Sequence, residues 1–178
     1  VSRFPRTVVT RYLVTLNPDG TPSLVESSSR LSDGSLVAPA RTRSTTQTFS
    51  DDGVVTQLMR DTVVTLRSTA LNAFPYINYS MAFIQLPVQS LGSRGDSVAS
   101  AILPVGGRNT TPMAVVRTGA GRFDYLIGPY RYHVRTDDRG VIQSVDGTGT
   151  TQQFLAERRP DIDVSSVAAA WGSDLAPR

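Results

Sequence analysis

The sequence predicts a mostly β protein, built as one large curled antiparallel meander with a helix over its concave face. Three observations lead to this prediction. The chain contains 19 threonines, which favour strands, but no lysine and only two glutamates, which favour helices. Asp-Gly turn signals recur, and runs rich in β-branched residues lie between them. One central segment is apolar on nearly every side, as a buried helix is.

The turn signals divide the chain into strand-length runs. They lie at 17–20, 32–34, 51–53, 137–140 and 146–147. The strand-like runs are 6–16, 53–68, 97–105, 112–118, 122–128, 130–136, 141–145 and 150–158. In the first run, alternation places Val8, Tyr12, Val14 and Leu16 on one face. Run 53–68 fits two strands or one long bent strand, so we expect about nine to eleven strands, a number at which sheets tend to curl or close.

The helix prediction rests on residues 72–91, NAFPYINYSMAFIQLPVQSL. Asn78 is a suitable N-cap, and Pro87 is expected to end or kink a helix. An apolar stripe with helical spacing is formed by Ile77, Met81, Ile84 and Val88, and Phe83 and Leu86 widen it. We therefore expect a helix near 78–86 that plugs the curled sheet as part of the core. A partner-binding helix is the alternative.

A second, short helix is predicted near 164–171. Asp163 would be its N-cap and Gly172 its C′ residue. Its apolar stripe consists of Val164, Val167, Ala168 and Trp171. Trp171 is expected to fasten this helix to the sheet. As the alternative, Trp171 anchors an interface, because tryptophan is enriched in binding hot spots.

Composition limits the chemistry of the chain. Its 178 residues suit one β-rich domain spanning 1–178. The absence of cysteine excludes disulfides, thiolate chemistry and Cys-based metal sites. Because all 18 basic residues are arginines, Schiff-base chemistry and a P-loop lysine are excluded as well. A net charge of +3 is too small to indicate nucleic acid as a partner.

The sequence carries no membrane-spanning signal. No stretch reaches the ~18 apolar residues that a spanning helix needs. The first residues, VSRFPRTVVTRY, lack a charged segment followed by an apolar one. We therefore expect no transmembrane segment, and a protein that is either cytoplasmic or already free of a targeting segment.

Residue types that carry catalysis are scarce. His133 is the only histidine, which leaves little room for a metal site and one possible general base. No G-x-S-x-G elbow accompanies it. The acidic pairs at 51–52 and 137–138 lie in turns, where aspartate serves local hydrogen bonding. We expect no catalytic residue, no bound metal and no cofactor, with His133 an ordinary strand residue.

The run 130–136, YRYHVRT, has two distinct faces in a strand. One face carries Arg131, His133 and Arg135, and the other carries Tyr130, Tyr132 and Val134. The basic stripe predicts a docking strip for an anion or a protein, because guanidinium groups pair with carboxylates and stack on aromatic rings. The alternative is an ordinary solvent face with Arg–Asp pairs across strands. Arg41 and Arg43 form a similar short stripe with the same alternative.

Three stretches carry a resemblance to known proteins: NPDGTPSLVESSSRLSDGS at 17–35, FPYIN at 74–78 and DIDVSSVAAAW at 161–171. Their pattern resembles uncharacterised secreted β-rich proteins of GC-rich bacteria. The meander with its covering helix is similar in architecture to the lipoprotein-carrier half-barrel class. The resemblance implies a periplasmic or extracellular location, with the targeting segment removed. It also implies an accessory role on the periplasmic side of a membrane complex, as in photosynthetic reaction centre–antenna assemblies.

Three functions are open at this point. The first is a non-enzymatic accessory subunit that docks on a larger, membrane-attached protein partner. The second is a carrier of an apolar ligand under the helix, and the third is a hydrolase using His133 or an Asp pair. A filled core favours docking, an empty apolar cavity favours a carrier, and a polar cleft at His133 favours an enzyme. For docking we expect contacts from Arg131, Arg135, Tyr130, Tyr132 and Trp171, with loops 92–96 and 106–112 as further candidates.

Overall fold

Hydrogen bonds between strands join most of the described chain into two sheets. The structure is a computed structural model, and it describes residues 8–31, 45–59, 62–67, 73–92, 94–151 and 153–162. The elements of these residues are β1 (Val8–Leu16), β2 (Pro22–Leu31), β3 (Thr45–Phe49), β4 (Val54–Met59), β5 (Thr62–Arg67), β6 (Phe74–Tyr76), α1 (Met81–Gly92), β7 (Ser97–Pro104), β8 (Thr111–Gly119), β9 (Arg122–Ile127), β10 (Tyr130–Thr136), β11 (Ile142–Asp146) and β12 (Leu155–Glu157).

The first sheet contains β1 to β5 in chain order, with every pair antiparallel. The second has seven strands in the order β12, β11, β10, β9, β8, β7, β6 and is curled like a half-barrel. Its β6–β7 pair is parallel, because α1 lies between these strands in the chain as a crossover. The predicted mostly β fold, with a curled sheet and a covering helix, is confirmed. The run 53–68 forms two strands.

The larger core lies between α1 and the inner face of the seven-stranded sheet. Its buried members are Phe74, Tyr76, Ile84, Val88, Leu91, Ile102, Met113, Val115, Phe123, Tyr125, Ile127, Tyr132, Val134, Ile142 and Val145. In β9 and β10 these residues occupy alternate positions, so the residues between them face outward. Each fully buried large apolar side chain contributes about 1.5–3 kcal/mol. Burial of the inner face therefore decides which side chains the outer face presents.

Helix α1 begins and ends later than the predicted 78–86. Tyr79 has φ of +60°, in the left-handed region, and cannot belong to a right-handed helix. The Ser80 carbonyl instead accepts the first helical hydrogen bond, from Ile84 N–H at 3.1 Å. Ser80 therefore stands at the N-cap position that Asn78 was expected to fill.

Pro87 lies inside α1 and does not end it. A proline inside a helix removes one backbone hydrogen bond and costs ~3 kcal/mol in an exposed helix. Here Pro87 is itself buried, and Val88 and Leu91 after it pack into the larger core. Their burial offsets the cost and extends the helix to Gly92. A Cβ at Gly92 would lie 2.9 Å from the Phe123 ring, so the helix end approaches the sheet too closely for a larger residue.

A smaller core joins the two sheets. It contains Val25, Phe49, Val55, Ala73, Ala101 and Leu103, so the face of β7 that points away from α1 packs against the five-stranded sheet. Beside it two fully buried glutamines form a polar clasp. Gln47 Nε2 donates to Gln57 Oε1 at 2.7 Å and to the Pro104 carbonyl at 3.2 Å. Gln57 accepts from Gly106 N–H at 3.1 Å and donates to the Gly107 carbonyl at 2.8 Å.

Leu16 does not share the face predicted for it. Tyr12 and Val14 are partly buried, but Leu16 is exposed. The β1–β2 register shifts between Thr15 and Leu16, and a bulge of this kind turns the next side chain to the other face. The predicted alternation thus holds only up to the bulge.

Several predictions fall on residues outside those described. These are the helix near 164–171 with Trp171, and the stripe of Arg41 and Arg43. In the part of the chain that the structure describes, no helix has the length and hydropathy needed to cross a bilayer.

The glutamine clasp gives a stability prediction. Gln57→Leu should lower the free energy of unfolding by about 1–3 kcal/mol, because it removes the shorter hydrogen bond of the fully buried Gln47 amide and the side-chain partner of Gly106 N–H and of the Gly107 carbonyl. Urea unfolding measures this loss. Thr48→Val on the exposed face of β3 is the control, with an expected change within about 0.5 kcal/mol. Equal stability of the two variants would contradict a structural role for the clasp.

Candidate functional site

Charged side chains form a cross-strand row on the outer face of the seven-stranded sheet. His133 of β10 is opposite Asp124 of β9 on one side and Asp146 of β11 on the other. Arg131 and Arg135 flank His133 two residues away along β10, on the same face. The register thus places one imidazole between two carboxylates and two guanidinium groups.

Asp124 organises this row. It is 9% exposed, and its Oδ1 lies 2.8 Å from Nδ1 of His133. Its Oδ2 lies 3.6 Å from Nη1 of Arg131, an ion pair longer than a hydrogen bond. A carboxylate accepts, so the proton of neutral His133 is assigned to Nδ1 and Nε2 is left as an acceptor. The Arg131–Asp124 contact is the cross-strand pair that the solvent-face alternative predicts.

Asp146 shapes the turn that follows β11. Its Oδ1 accepts from the Thr148 backbone N–H at 2.9 Å and from the Thr148 hydroxyl at 2.7 Å. The Thr148 N–H, then its hydroxyl, lower the pKa of Asp146, with smaller contributions from His133 and Arg135. A lowered folded-state pKa contributes stability above about pH 4, and this contribution is lost as the pH falls through that pKa.

A core tyrosine fixes where this turn lies. A Cβ at Gly147 would lie only 2.5 Å from Cδ1 of Tyr132, whose ring packs beneath the turn. Only glycine therefore fits at 147 without movement of the ring or the backbone. Thr150 N–H donates to the Gly147 carbonyl at 3.0 Å and closes the turn.

An open pocket of about 770 Å³ lies between the start of β10 and this turn. It is lined by Pro129, Tyr130, Arg131, His133, Asp146, Thr148, Gly149, Thr150 and Thr151. Its volume is in the range of small-ligand sites, and its lining combines one guanidinium, one imidazole and a hydroxyl-rich turn. The pocket is the polar cleft at His133 that the sequence left open. No group of three His, Asp or Glu side chains suitable for a metal ion occurs among the described residues.

The structure separates the predicted contact residues. Arg131 and Arg135 are exposed on the outer face, and Tyr130 is partly buried at the pocket. Tyr132 is 3% exposed and lies in the core on the inner face, so it cannot contact a partner there. This corrects the predicted set, because the strand alternation that exposes the arginines buries Tyr132. Trp171 lies outside the described residues.

Both loops proposed as further contacts are held against the rest of the fold. Arg94 Nη2 donates to Asp19 Oδ2 at 2.8 Å, which ties the chain after α1 to the β1–β2 turn. Arg117 donates to the Gly92 carbonyl and lies over the Phe123 ring, 5.0 Å from its centroid. The start of the 106–112 loop takes part in the glutamine clasp.

Asp124, Asp146 and the 148–151 turn were not predicted as parts of one site. A signal for Asp124 was present. Phe123 and Tyr125 flank Asp124 in the run 122–128, so strand alternation with the two aromatic residues on one face places Asp124 on the opposite face. A two-residue Gly128-Pro129 connection pairs Ile127 with Tyr130, and counting back from this pair places Asp124 opposite His133. Asp146 was not predicted as a site residue because the Asp146-Gly147 step indicates only a turn.

The seven-stranded sheet is a curled β half-barrel, and the helix α1 covers it. The fold is similar to the crystal structure of a DUF1089 family protein from Pseudomonas aeruginosa. The match has a TM-score of 0.62 and 15% sequence identity, and it covers 89% of this chain and 82% of that chain. At this identity the likeness shows the fold alone. No family model matches the chain, and no curated protein does.

The Asp146 turn gives a titration prediction. Thr148→Val should raise the pKa of Asp146 toward its ordinary 3.8, but not fully, because the backbone N–H at 148 still donates. Carboxyl-detected NMR over an acid titration measures this. Thr150→Val is the matched control, since its hydroxyl donates to the Gly147 carbonyl and not to Asp146. An equal shift in both variants would contradict the assigned cause.

Proposed function

We propose that this protein is a non-enzymatic accessory subunit. It docks on a larger, membrane-attached complex on the periplasmic side through the outer face of β9 to β11. The observation that carries the proposal is the exposed strip of Arg131, His133 and Arg135, which burial of the opposite face holds in fixed register. Photosynthetic reaction centre–antenna assemblies remain the suggested kind of complex, on the sequence resemblance alone.

The strip suits orientation better than affinity. Exposed ion pairs are worth about 0–1 kcal/mol each, and the charges of a rim act mainly on encounter rate and specificity. Affinity requires an apolar anchor that becomes buried. Leu155 of β12 is 61% exposed and lies opposite Asp146, in the same cross-strand row as His133. We take Leu155, with Tyr130 at the pocket, as the anchor beside the charged strip.

The carrier function has less support. The region between α1 and the sheet is occupied by the fifteen buried side chains of the larger core. One feature favours an internal polar ligand: the Tyr125 hydroxyl is buried and makes no hydrogen bond with the described residues. Burial raises the pKa of Tyr125, so the group stays neutral. A single hydroxyl in a filled core supports a binding cavity less well than the strip supports docking.

Hydrolysis is the second candidate function, and one observation favours it. A nearly buried carboxylate holds Nδ1 of His133, and the imidazole lines a polar pocket. The same orientation serves a histidine that acts as general base. Thr148 and Thr150 hydroxyls line the pocket too, but each already donates a hydrogen bond within its own turn. No activated nucleophile accompanies His133 among the described residues.

The docking proposal is tested by a double charge reversal, Arg131→Glu with Arg135→Glu. The partner is whatever co-purifies with the protein after gentle isolation from its native source. Association with this partner at low salt should slow by about tenfold or more, because two guanidinium groups that pair with partner carboxylates are replaced by two carboxylates that repel them. The difference should shrink at high salt, where exposed charges are screened. Stopped-flow or surface-binding kinetics at both salt concentrations give the result.

The matched control is Arg11→Glu with Arg108→Glu. It makes the same change of net charge at two exposed arginines away from β10. If the two double variants associate equally fast, the outer face of β10 is plain solvent surface. Circular dichroism and urea unfolding accompany the kinetics, because a Glu at 131 would lie beside Asp124. Misfolding of the β10 variant alone would mean that the strip is structural, paired across strands.

His133→Ala separates docking from hydrolysis. We expect assembly with the partner to change by less than about threefold, because an exposed histidine contributes little beyond its bond to Asp124. The measurement pairs the assembly assay with turnover of carboxylic and phosphoric p-nitrophenyl esters. A hydrolytic activity that His133→Ala abolishes, and that Asp124→Asn also lowers, would replace the docking proposal by the enzyme.

A further inference from the structure

In the pocket beside His133, some hydrogen-bond donors and acceptors are already bonded within the protein and others are not. Two carboxylate oxygens are in use: Asp146 Oδ1 receives two hydrogen bonds from Thr148, and Asp124 Oδ1 bonds His133. Among the donors, the guanidinium group of Arg131 and the Gly149 N–H have no hydrogen bond with the described residues. The chemistry of the ligand follows from which groups are left over, since a ligand binds best where it meets unmet donors or acceptors.

Arg131 is the main unused donor. A guanidinium group carries five N–H donors, and Arg131 makes no hydrogen bond with the described residues. Its one ion pair, to Asp124 Oδ2, is 3.6 Å long. Asp124 therefore orients the guanidinium group without occupying its donors. The plane that remains open can take two parallel N–H···O bonds from a carboxylate.

The turn across the pocket supplies further donors. Thr148 N–H and Thr150 N–H are both bonded inside the turn, to Asp146 and to Gly147. Gly149 N–H between them has no acceptor among the described residues, and a Cβ at Gly149 would meet nothing within 4 Å. The backbone at Gly149 is thus open to close approach by a ligand. Thr151, two residues after Gly149, also lines the pocket.

One charge opposes an anion here. Asp146 lines the same pocket, and its second oxygen, Oδ2, accepts no hydrogen bond from the described residues. Arg135, one of the charges acting on Asp146, partly offsets it. An oxyanion in this pocket would therefore be favoured only against Arg131 and Gly149, away from Asp146.

We propose that this pocket binds the carboxylate of an acidic side chain presented by the docking partner. The carboxylate pairs bidentately with Arg131 and accepts from Gly149 N–H. The inference rests on the proposed docking function for the source of the acid, and it names the chemistry that the partner brings. Phosphate shares the oxyanion chemistry but would come from a free ion, and the test separates the two.

The test is an NMR titration of the isolated protein with three probes. They are the blocked peptide acetyl-Gly-Asp-Gly-amide, its Asn counterpart, and inorganic phosphate. The Asp peptide should shift the amide signals of Gly149 and Thr151 and the Nε–H signal of Arg131, while the Asn peptide should not. Equal shifts from both peptides, or shifts from phosphate alone, would overturn the proposal.

Two variants that each remove one charge sharpen the result. Arg131→Gln should abolish the response to the Asp peptide. Asp146→Asn should strengthen binding by about threefold or more, because it removes the opposing charge while the amide oxygen still accepts from Thr148. A site indifferent to both changes is not the carboxylate site described.

This experiment and the kinetic one fail in different ways. The titration needs no partner, so a responsive pocket with unchanged assembly of the double charge-reversal variant would remove docking and keep the carboxylate site. Slower assembly with no response to the Asp peptide would keep docking and remove the carboxylate site.

Discussion

The packing of α1 onto the inner face of the seven-stranded sheet is the constraint on which the rest of the structure depends. A strand has a side-chain period of two, so burying one face commits every other residue to the opposite face. In β10 the buried partners Tyr132 and Val134 leave Arg131, His133 and Arg135 outside. A slip by one residue would bury the charged row and expose the core. The charged face is therefore specified by the hydrophobic one.

The same core also places the pocket. Tyr132 packs under Gly147 so closely that a side chain at this position of the turn after β11 would meet its ring. From there Asp146 and Thr148 close the turn by local hydrogen bonds, and Gly149 faces the start of β10 across the pocket. A binding surface made of a loop gains precision when a rigid core residue supports it. Here the support is an aromatic ring that no ligand would touch.

Much of the fold could be predicted from the sequence, for reasons that particular residues show. Run 130–136 is exposed on one face only, and its alternation gave the strand and both of its faces correctly. Strand β2, PSLVESSSRL, was missed because its inward positions include Ser27 and Ser29 where an apolar residue is expected. Ser27 is satisfied by Thr45 and Ser29 by Thr10, which are partners that only the assembled sheet supplies. Pro87 was wrongly expected to end the helix near residue 86, because burial of the residues after it outweighed the helix-breaking preference of proline.

Only the part of the candidate site that lies within one strand could be predicted from the sequence. Arg131 and Arg135 follow from alternation within one strand, but Asp124 and Asp146 join them only through pairing with two other strands. Register is a property of strand pairs, and only the short β9–β10 connection encodes it locally. The contact between Tyr132 and Gly147 beneath the turn is likewise one that no local sequence pattern predicts.

Positive and negative charges on the outer face are equal in number. This balance affects which partner surfaces the face could distinguish in the proposed docking. Guanidinium groups of Arg122, Arg131 and Arg135 share the face with the carboxylates of Asp124, Asp146 and Glu157. A balanced face exerts little long-range attraction on a polyanion, in keeping with a net charge of only +3. Discrimination then depends on position, because a partner acid placed beside Arg131 gains a pair while one placed beside Asp146 meets repulsion. In the proposed docking, exposed charge pairs of this kind would add little affinity, so an apolar neighbour such as Leu155 would have to supply it.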